Sequence, residues 1–258
     1  MTKLKWMAGA VLAVFAAGAA EAADMPVYYE QPAQAEFGGW YLRGDIGMSH
    51  QISDDIDSPF FDIIDPADTL EILKSEWDPS WFVGAGFGYQ FNEHFRMDVT
   101  GEYRGGSDFT GHDYYDTGSD GTIDGTNDYT GKKEEAVFLV NAYYDFAGFS
   151  SWATPYIGAG VGAAWIKLSD FRDVNAMTGA LGLSGDTETW NIAAALYAGV
   201  GFQLSERLML DVGYRFLYMG DASTEDLVAL DGSNATYNPL RFNNIMSHDV
   251  RVGLRYGF

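Results

Sequence analysis

The chain has no cysteine and only 7 prolines in 258 residues. Without cysteine there is no disulfide scaffold and no thiolate-held metal. Scarce proline leaves long strands free of missing ladder donors. Positive charge is short as well: 15 Lys and Arg face 37 Asp and Glu, for a net charge of −22. Nucleic acid is excluded as a partner, because contact with phosphates needs the opposite sign. No stretch beyond the N-terminal residues is apolar over the ~18–20 residues that a spanning helix needs, so a membrane role requires strands.

What is abundant is aromatic residues, at 16%, and glycine, at 31 residues. This composition suits curved strands carrying aromatic girdles. Residues 1–22 read as a cleaved signal peptide: Lys3 and Lys5 precede an apolar stretch over 7–20, and Ala20-Glu21-Ala22 forms an A-x-A exit. Residues 23–37, with Pro26 and Pro32 and no periodicity, read as a flexible periplasmic leader. The remainder, 38–258, reads as one domain.

Within that domain eight segments alternate with period two, the signature of strands with one apolar face. Trp40, Leu42, Ile46 and Met48 oppose Tyr41, Arg43 and Asp45, and Trp81, Val83, Phe87 and Tyr89 oppose Gly84, Gly86 and Gly88. Further segments cover 95–104, 138–146, 156–165, 191–203 and 208–218, and the last ends Val250, Val252, Leu254, Tyr256, Phe258. The connections after the even segments are short: Asn92-Glu93, 148–154 and Ser205-Glu206. Those after the odd segments are long and hold most of the acids: 49–80, 105–134, 168–188 and 219–246. Short turns at one end and long loops at the other predict an all-β, eight-stranded antiparallel up-and-down transmembrane β-barrel with four long extracellular loops. It would sit in the outer membrane of a Gram-negative bacterium, among outer-membrane lipid and lipopolysaccharide, with its N-terminus periplasmic. A soluble β-sandwich would mix its connection lengths, and a lipocalin-like barrel would turn its apolar face inward. Aromatics near the strand ends, among them Trp40, Trp81, Tyr103, Trp165 and Tyr214, read as interface girdles.

The polar face of the strands collects Arg43, Asp45, Arg96, Asp98, Glu102, Arg104, Asp145, Asp211, Arg215, Asp249, Arg251 and Arg255. Arginines and carboxylates balance, so they can pair bidentately. The inside of an eight-stranded barrel is only wide enough for side chains. A lumen filled by this network is therefore expected, with no wide pore, and Gly158, Gly160 and Gly162 relieve crowding there.

The run from Asp211 to Phe216, a long polar loop, and then His248-Asp249-Val250-Arg251-Val252-Gly253-Leu254-Arg255-Tyr256-Gly257-Phe258 resemble the closing hairpin of small outer-membrane β-barrel proteins. The likeness is to the alphaproteobacterial surface antigens of the outer membrane protein β-barrel domain family, in the same broad class as OmpA and OmpX. Ala22-Ala23-Asp24 and Thr154-Pro155-Tyr156-Ile157-Gly158-Ala159-Gly160 also match that group. The resemblance implies that Leu254, Tyr256 and Phe258 form the signal read by the outer-membrane insertion machinery. The first two loops are longer and more acidic than is usual in that group.

Two small barrel families of this class are enzymes acting on lipid A, which draws attention to Ser247-His248 among the four histidines His50, His94, His112 and His248. Adjacent strand residues face opposite ways, so this pair cannot form a nucleophile–base contact, and no catalytic residues are assigned. Asp116, Asp120, Asp124 and Asp128, with interleaved Gly121 and Gly125, superficially match a Ca²⁺ loop. The central ligand and the closing Glu are missing, so a solvated hairpin is expected, with Ca²⁺ or Mg²⁺ shared with lipopolysaccharide phosphates as the alternative. No cofactor is expected. The resulting reading is a structural or surface role, in envelope integrity or in contact with a host or matrix partner through acidic loops. A small-solute channel and a lipid A-modifying enzyme are the alternatives.

Overall fold

The computed structural model describes residues 39–258, apart from 55, 60, 62–67, 231 and 233–236. The expected signal peptide over 1–22 and leader over 23–37 lie outside the described residues, as do Asp55, Asp62 and Asp65 of the first long connection.

Eleven strands are described: β1 (Gly39–Ile52), β2 (Thr69–Trp77), β3 (Ser80–Gln90), β4 (Phe95–Asp116), β5 (Gly125–Asp145), β6 (Ala153–Asn175), β7 (Leu181–Leu183), β8 (Thr187–Gln203), β9 (Leu208–Asp226), β10 (Val228–Ala229) and β11 (Pro239–Gly257). Eight of them form a closed antiparallel ring in chain order, β1-β3-β4-β5-β6-β8-β9-β11, and β11 pairs back onto β1 from Tyr41↔Gly257 to Ile52↔Met246. The strand alternation read from sequence sets the two faces. Ile192 on β8 is 74% exposed on the outside while its neighbour Ala193 is fully buried inside. Glycine permits the tight inner wall at β6: a Cβ on Gly158 would lie 2.4 Å from the Tyr143 ring, and one on Gly162 would lie 1.9 Å from the Phe138 carbonyl oxygen.

The long connections are not plain loops. β4 and β5 continue as a paired hairpin to Tyr115↔Gly125, β6 runs on to Asn175, and β9 reaches Asp226. β2 pairs with the outer part of β4, from Trp77↔Phe109 to Thr69↔Asp116, and so continues the line of β3. The 22 residues of β4 at ~3.3 Å each span roughly 70 Å, or about 55 Å of height at a tilt of ~40°, twice the ~25 Å apolar band of such a barrel.

Two features hid these extensions from the sequence. Register shifts at Arg104/Ser107 on β4 and at Thr130/Lys132 opposite β6 change which residues face inward, and Asp170 at the second has φ 55°. Each is a β-bulge, one extra residue that flips the alternation. Above them the polarity also reverses. On β5 the outward residues pass from Val140 and Phe138 to Glu134, Lys132, Thr130 and Asp128, while Tyr129 and, on the flanking strands, Phe109 and Phe171 turn inward.

Those inward side chains build a core of the kind found in soluble proteins. Trp77, Phe109, Phe171 and Phe242, from β2, β4, β6 and β11, are nearly fully buried and lie in mutual ring contact, with centroids 4.9 to 6.4 Å apart. Ile56, Ile166, Leu168, Met219, Leu240 and Ile245 pack around them. Replacing Phe242 by Ala empties the centre of this layer. Large-to-small changes at such sites cost about 3–5 kcal/mol, and a lowered urea midpoint of the lipid-refolded barrel will report the loss.

Candidate functional site

Below the aromatic layer, in the part of the barrel whose outside is apolar, the inward face carries buried charges. All of the polar-face residues named from sequence point inward, and each makes an ion pair. Nearest the short turns Arg96 Nε donates to Asp145 (2.9 Å) and Arg255 Nε lies 3.3 Å from Asp211. Higher up, Arg43 bridges Asp45 (2.9 Å) and Asp98 (2.6 Å), and Arg251 reaches Asp45 (2.5 Å) from the closing strand. The hub is Arg104, with Glu102 at 2.9 Å, Glu135 at 2.9 Å and Asp249 at 3.0 Å. Arg215 shares Glu102 (2.7 Å) and Asp249 (2.6 Å) with it.

Neutral groups complete the network. Asp98 accepts from the Tyr41 hydroxyl (3.0 Å) and from Asn141 Nδ2 (2.8 Å), and Arg104 also donates to Ser49 and Ser247. A Tyr197 hydroxyl donates to Asn141 Oδ1 at 2.8 Å. Where nitrogens lack an acceptor, rings take their place: Arg96 leaves Nη1 and Nη2 without one, and its guanidinium lies over Tyr143 at 3.9 Å and Tyr156 at 4.8 Å. A guanidinium is weakly hydrated and stacks readily on aromatic faces, so this exchange costs little.

Lys133 and Glu135 belong to this interior too, although sequence reading left Lys133 in a loop and passed over Glu135. They pair at 2.9 Å with both side chains almost wholly buried, and Lys133 Nζ also sits 4.3 Å from the Trp77 ring, where charge meets aromatic layer. The available signal was parity: Lys133 and Glu135 continue the inward series of Val137, Leu139, Asn141 and Tyr143.

The other candidates are dispersed. Ser247 points inward and accepts from Arg104 at 3.0 Å, while His248 points outward and meets the Tyr214 hydroxyl at 2.5 Å. Alternation separates them as the sequence demands. The four loop aspartates do not converge. Asp116 accepts from the backbone of Asp120 and Gly121, Asp124 from Thr117, and Asp120 from Thr122, all of which closes the tight turn. Asp128 pairs with His112 on the outer face at 2.6 Å. Asp116, Asp120 and Asp124 thus act as turn caps, and Asp128 pairs with a histidine. Leu254, Tyr256 and Phe258 are exposed on the outer face of the closing strand.

The profile of the outer membrane protein β-barrel domain matches residues 10–258. The chain belongs to that family. Within this family of outer-membrane β-barrels, an uncharacterized protein of Brucella suis biovar 1 is 29% identical over 97% of this chain and 95% of its own length. The outer membrane protein PagN of Salmonella typhimurium is 27% identical over 68% of this chain and 72% of its own. Among solved structures, Neisserial surface protein A is similar over 85% of this chain and 97% of that chain, at 18% identity and a TM-score of 0.42. Like the family, this protein resides in the outer membrane of a Gram-negative bacterium, embedded in its lipid.

In this family member Arg104 is the ion that the others lean on. Arg104→Ala leaves three carboxylates short of a partner, and breaking a buried pair from one side costs about 3–5 kcal/mol. Arg104→Lys recovers only part of that, since an ammonium lacks the planar fork. Urea titrations of the refolded variants should show both deficits, and show them undiminished at high salt, because buried pairs are screened little.

Proposed function

We propose that this outer-membrane barrel does not transport solutes but serves as a closed, surface-presenting element of the envelope. The observation that carries this reading is the two-storey filling of the lumen: a paired ion network below and four mutually touching rings above. A solute path would have to displace both, and three of the four rings, Phe109, Phe171 and Phe242, offer a passing polar molecule no hydrogen bond. The long-strand end is read as extracellular, following the asymmetry of such barrels. There the outer wall displays exposed acids, among them Glu71, Asp108, Asp120, Asp124 and Asp186. A host or matrix partner would therefore present basic groups. Ser247 and His248 are read as structural residues and the protein as no enzyme. Leu254, Tyr256 and Phe258, which face lipid, are read as the strand that the insertion machinery recognises.

Two measurements test this. In planar bilayers the refolded protein should give no single-channel steps, and sustained steps would instead establish a channel. An epitope inserted in the turn at Ser119–Gly121 should be stained by antibody on intact cells. Staining only after permeabilisation would reverse the orientation and with it the surface role.

A further inference from the structure

Above the aromatic layer, at the long-strand mouth, the barrel encloses a recess of ≈ 500 Å³. Its wall is of two kinds. Leu70, Leu181 and Leu240 supply apolar surface, while Asp68, Asp113 and Asp173 supply carboxylates, and no described Lys, Arg or His lines it. Asp113 is fully buried, and its acceptors are taken: Oδ1 receives the backbone N–H and Nδ2 of Asn127, each at 3.0 Å, and Oδ2 receives the Tyr129 hydroxyl at 2.7 Å. It places a carboxylate in a wall that holds no described Lys, Arg or His.

Two further oxygens in that wall have no donor. Asp173 Oδ1 is buried and unpartnered. Asn238, only 9% exposed, donates Nδ2 to the Leu227 carbonyl at 2.9 Å, which fixes the orientation of the amide and leaves Oδ1 unpartnered. A buried acceptor without a donor is costly and uncommon. The recess therefore lacks donors and positive charge while carrying an apolar wall.

We infer that this recess is a binding site for a small organic ammonium ion. Its N–H groups would meet the side chains of Asp173 and Asn238, its charge would answer Asp113 and Asp173, and its hydrocarbon body would lie on the leucines. A bare divalent ion fits less well. Asp113 already accepts three hydrogen bonds, the leucines of the wall cannot ligate, and among the described residues no cluster of three or more acidic or histidine side chains is arranged to hold a metal. This inference does not depend on the surface-role reading.

Charge in the recess also makes the site sensitive to pH. Its titratable groups are Asp68 on the approach to β2, Asp113 and Tyr115 on β4, Tyr129 on β5 and Asp173 on β6. Burial, and then the charge of Asp113, pushes Asp173 up to about 6. Burial raises Asp113 as well, and burial with the neighbouring Asp113 keeps Tyr129 neutral. A raised carboxyl is protonated below its folded value, so affinity for a cation rises as pH climbs through about 6 and falls away beneath it.

The test is isothermal titration of 2-phenylethylammonium into the full barrel held in lipid nanodiscs, with empty discs subtracted. Saturable binding near pH 7.5 is expected, about tenfold weaker near pH 5, where some nine-tenths of Asp173 is protonated. Asp173→Asn should weaken it by at least about tenfold, with heat-modifiable gel migration confirming that the variant is folded. If that variant does not fold, Asn238→Leu takes its place with the same expectation. The neutral isostere 2-phenylethanol should not bind. Equal binding of the alcohol, absence of saturation, no loss at low pH, or displacement of the amine by equimolar Ca²⁺ would each overturn the assignment.

Discussion

A backbone amide in lipid finds no water, so strands that cross a membrane must close on one another until every ladder bond is made. Here that constraint is met by β11 returning to β1 from Tyr41↔Gly257 to Ile52↔Met246. Closure at eight strands sets the radius, and the radius decides what the inside can hold. At this size the interior is just wide enough for side chains to fill it. The rest of the structure answers one question: which side chains can fill that cylinder while lipid covers part of its outside and water covers the rest.

In the lipid-covered part the apolar residues are committed to the outer face, so the inner face is left with polar ones. Charge survives there because it is shared. Arg104 and Arg215 both serve Glu102 and Asp249, so each carboxylate meets two guanidinium groups and each guanidinium at least two carboxylates. Isolated burial of any of these ions would be prohibitive, whereas a satisfied network strengthens itself in low dielectric. In the water-covered part the outer face turns polar, and the inner face is free to become apolar. Trp77, Phe109, Phe171 and Phe242 use that freedom. The stack of charge below and rings above follows from what lies outside the wall at each height.

This explains what could be read from the sequence and what could not. Eight strands, their facing residues and the charged inner face were legible, because within the bilayer outward apolar alternation runs unbroken, as from Trp40 to Met48 or from Val250 to Phe258. The extensions were not. A reader following the apolar face outward loses it at Arg104, where the bulge before Ser107 flips parity and the polarity inverts, and the stretch beyond reads as an acidic loop. Lys133 and Glu135 were lost to the polarity change alone: β5 keeps its parity through them, but its outward face has already turned polar at Glu134 and Lys132. The role of Asp116 was hidden differently: an aspartate near glycines serves a turn or a cation equally well on spacing alone, and only the backbone amides of Asp120 and Gly121 decide between them.

The same logic bears on the outermost level. At the level of the hub each acid had an arginine within reach, because both belong to one balanced inner face. Beyond the rings the strands carry few cations inward, and Asp113 and Asp173 stand close enough that one raises the other. Asp113 at least holds the Asn127 amide and the Tyr129 hydroxyl in place. Asp173 Oδ1 and Asn238 Oδ1, which lie outside the balanced set and have no donor, oppose folding rather than aid it. Their cost falls to whatever they bind, and the sign of that ligand is set by the absence of any described cation in the wall around them.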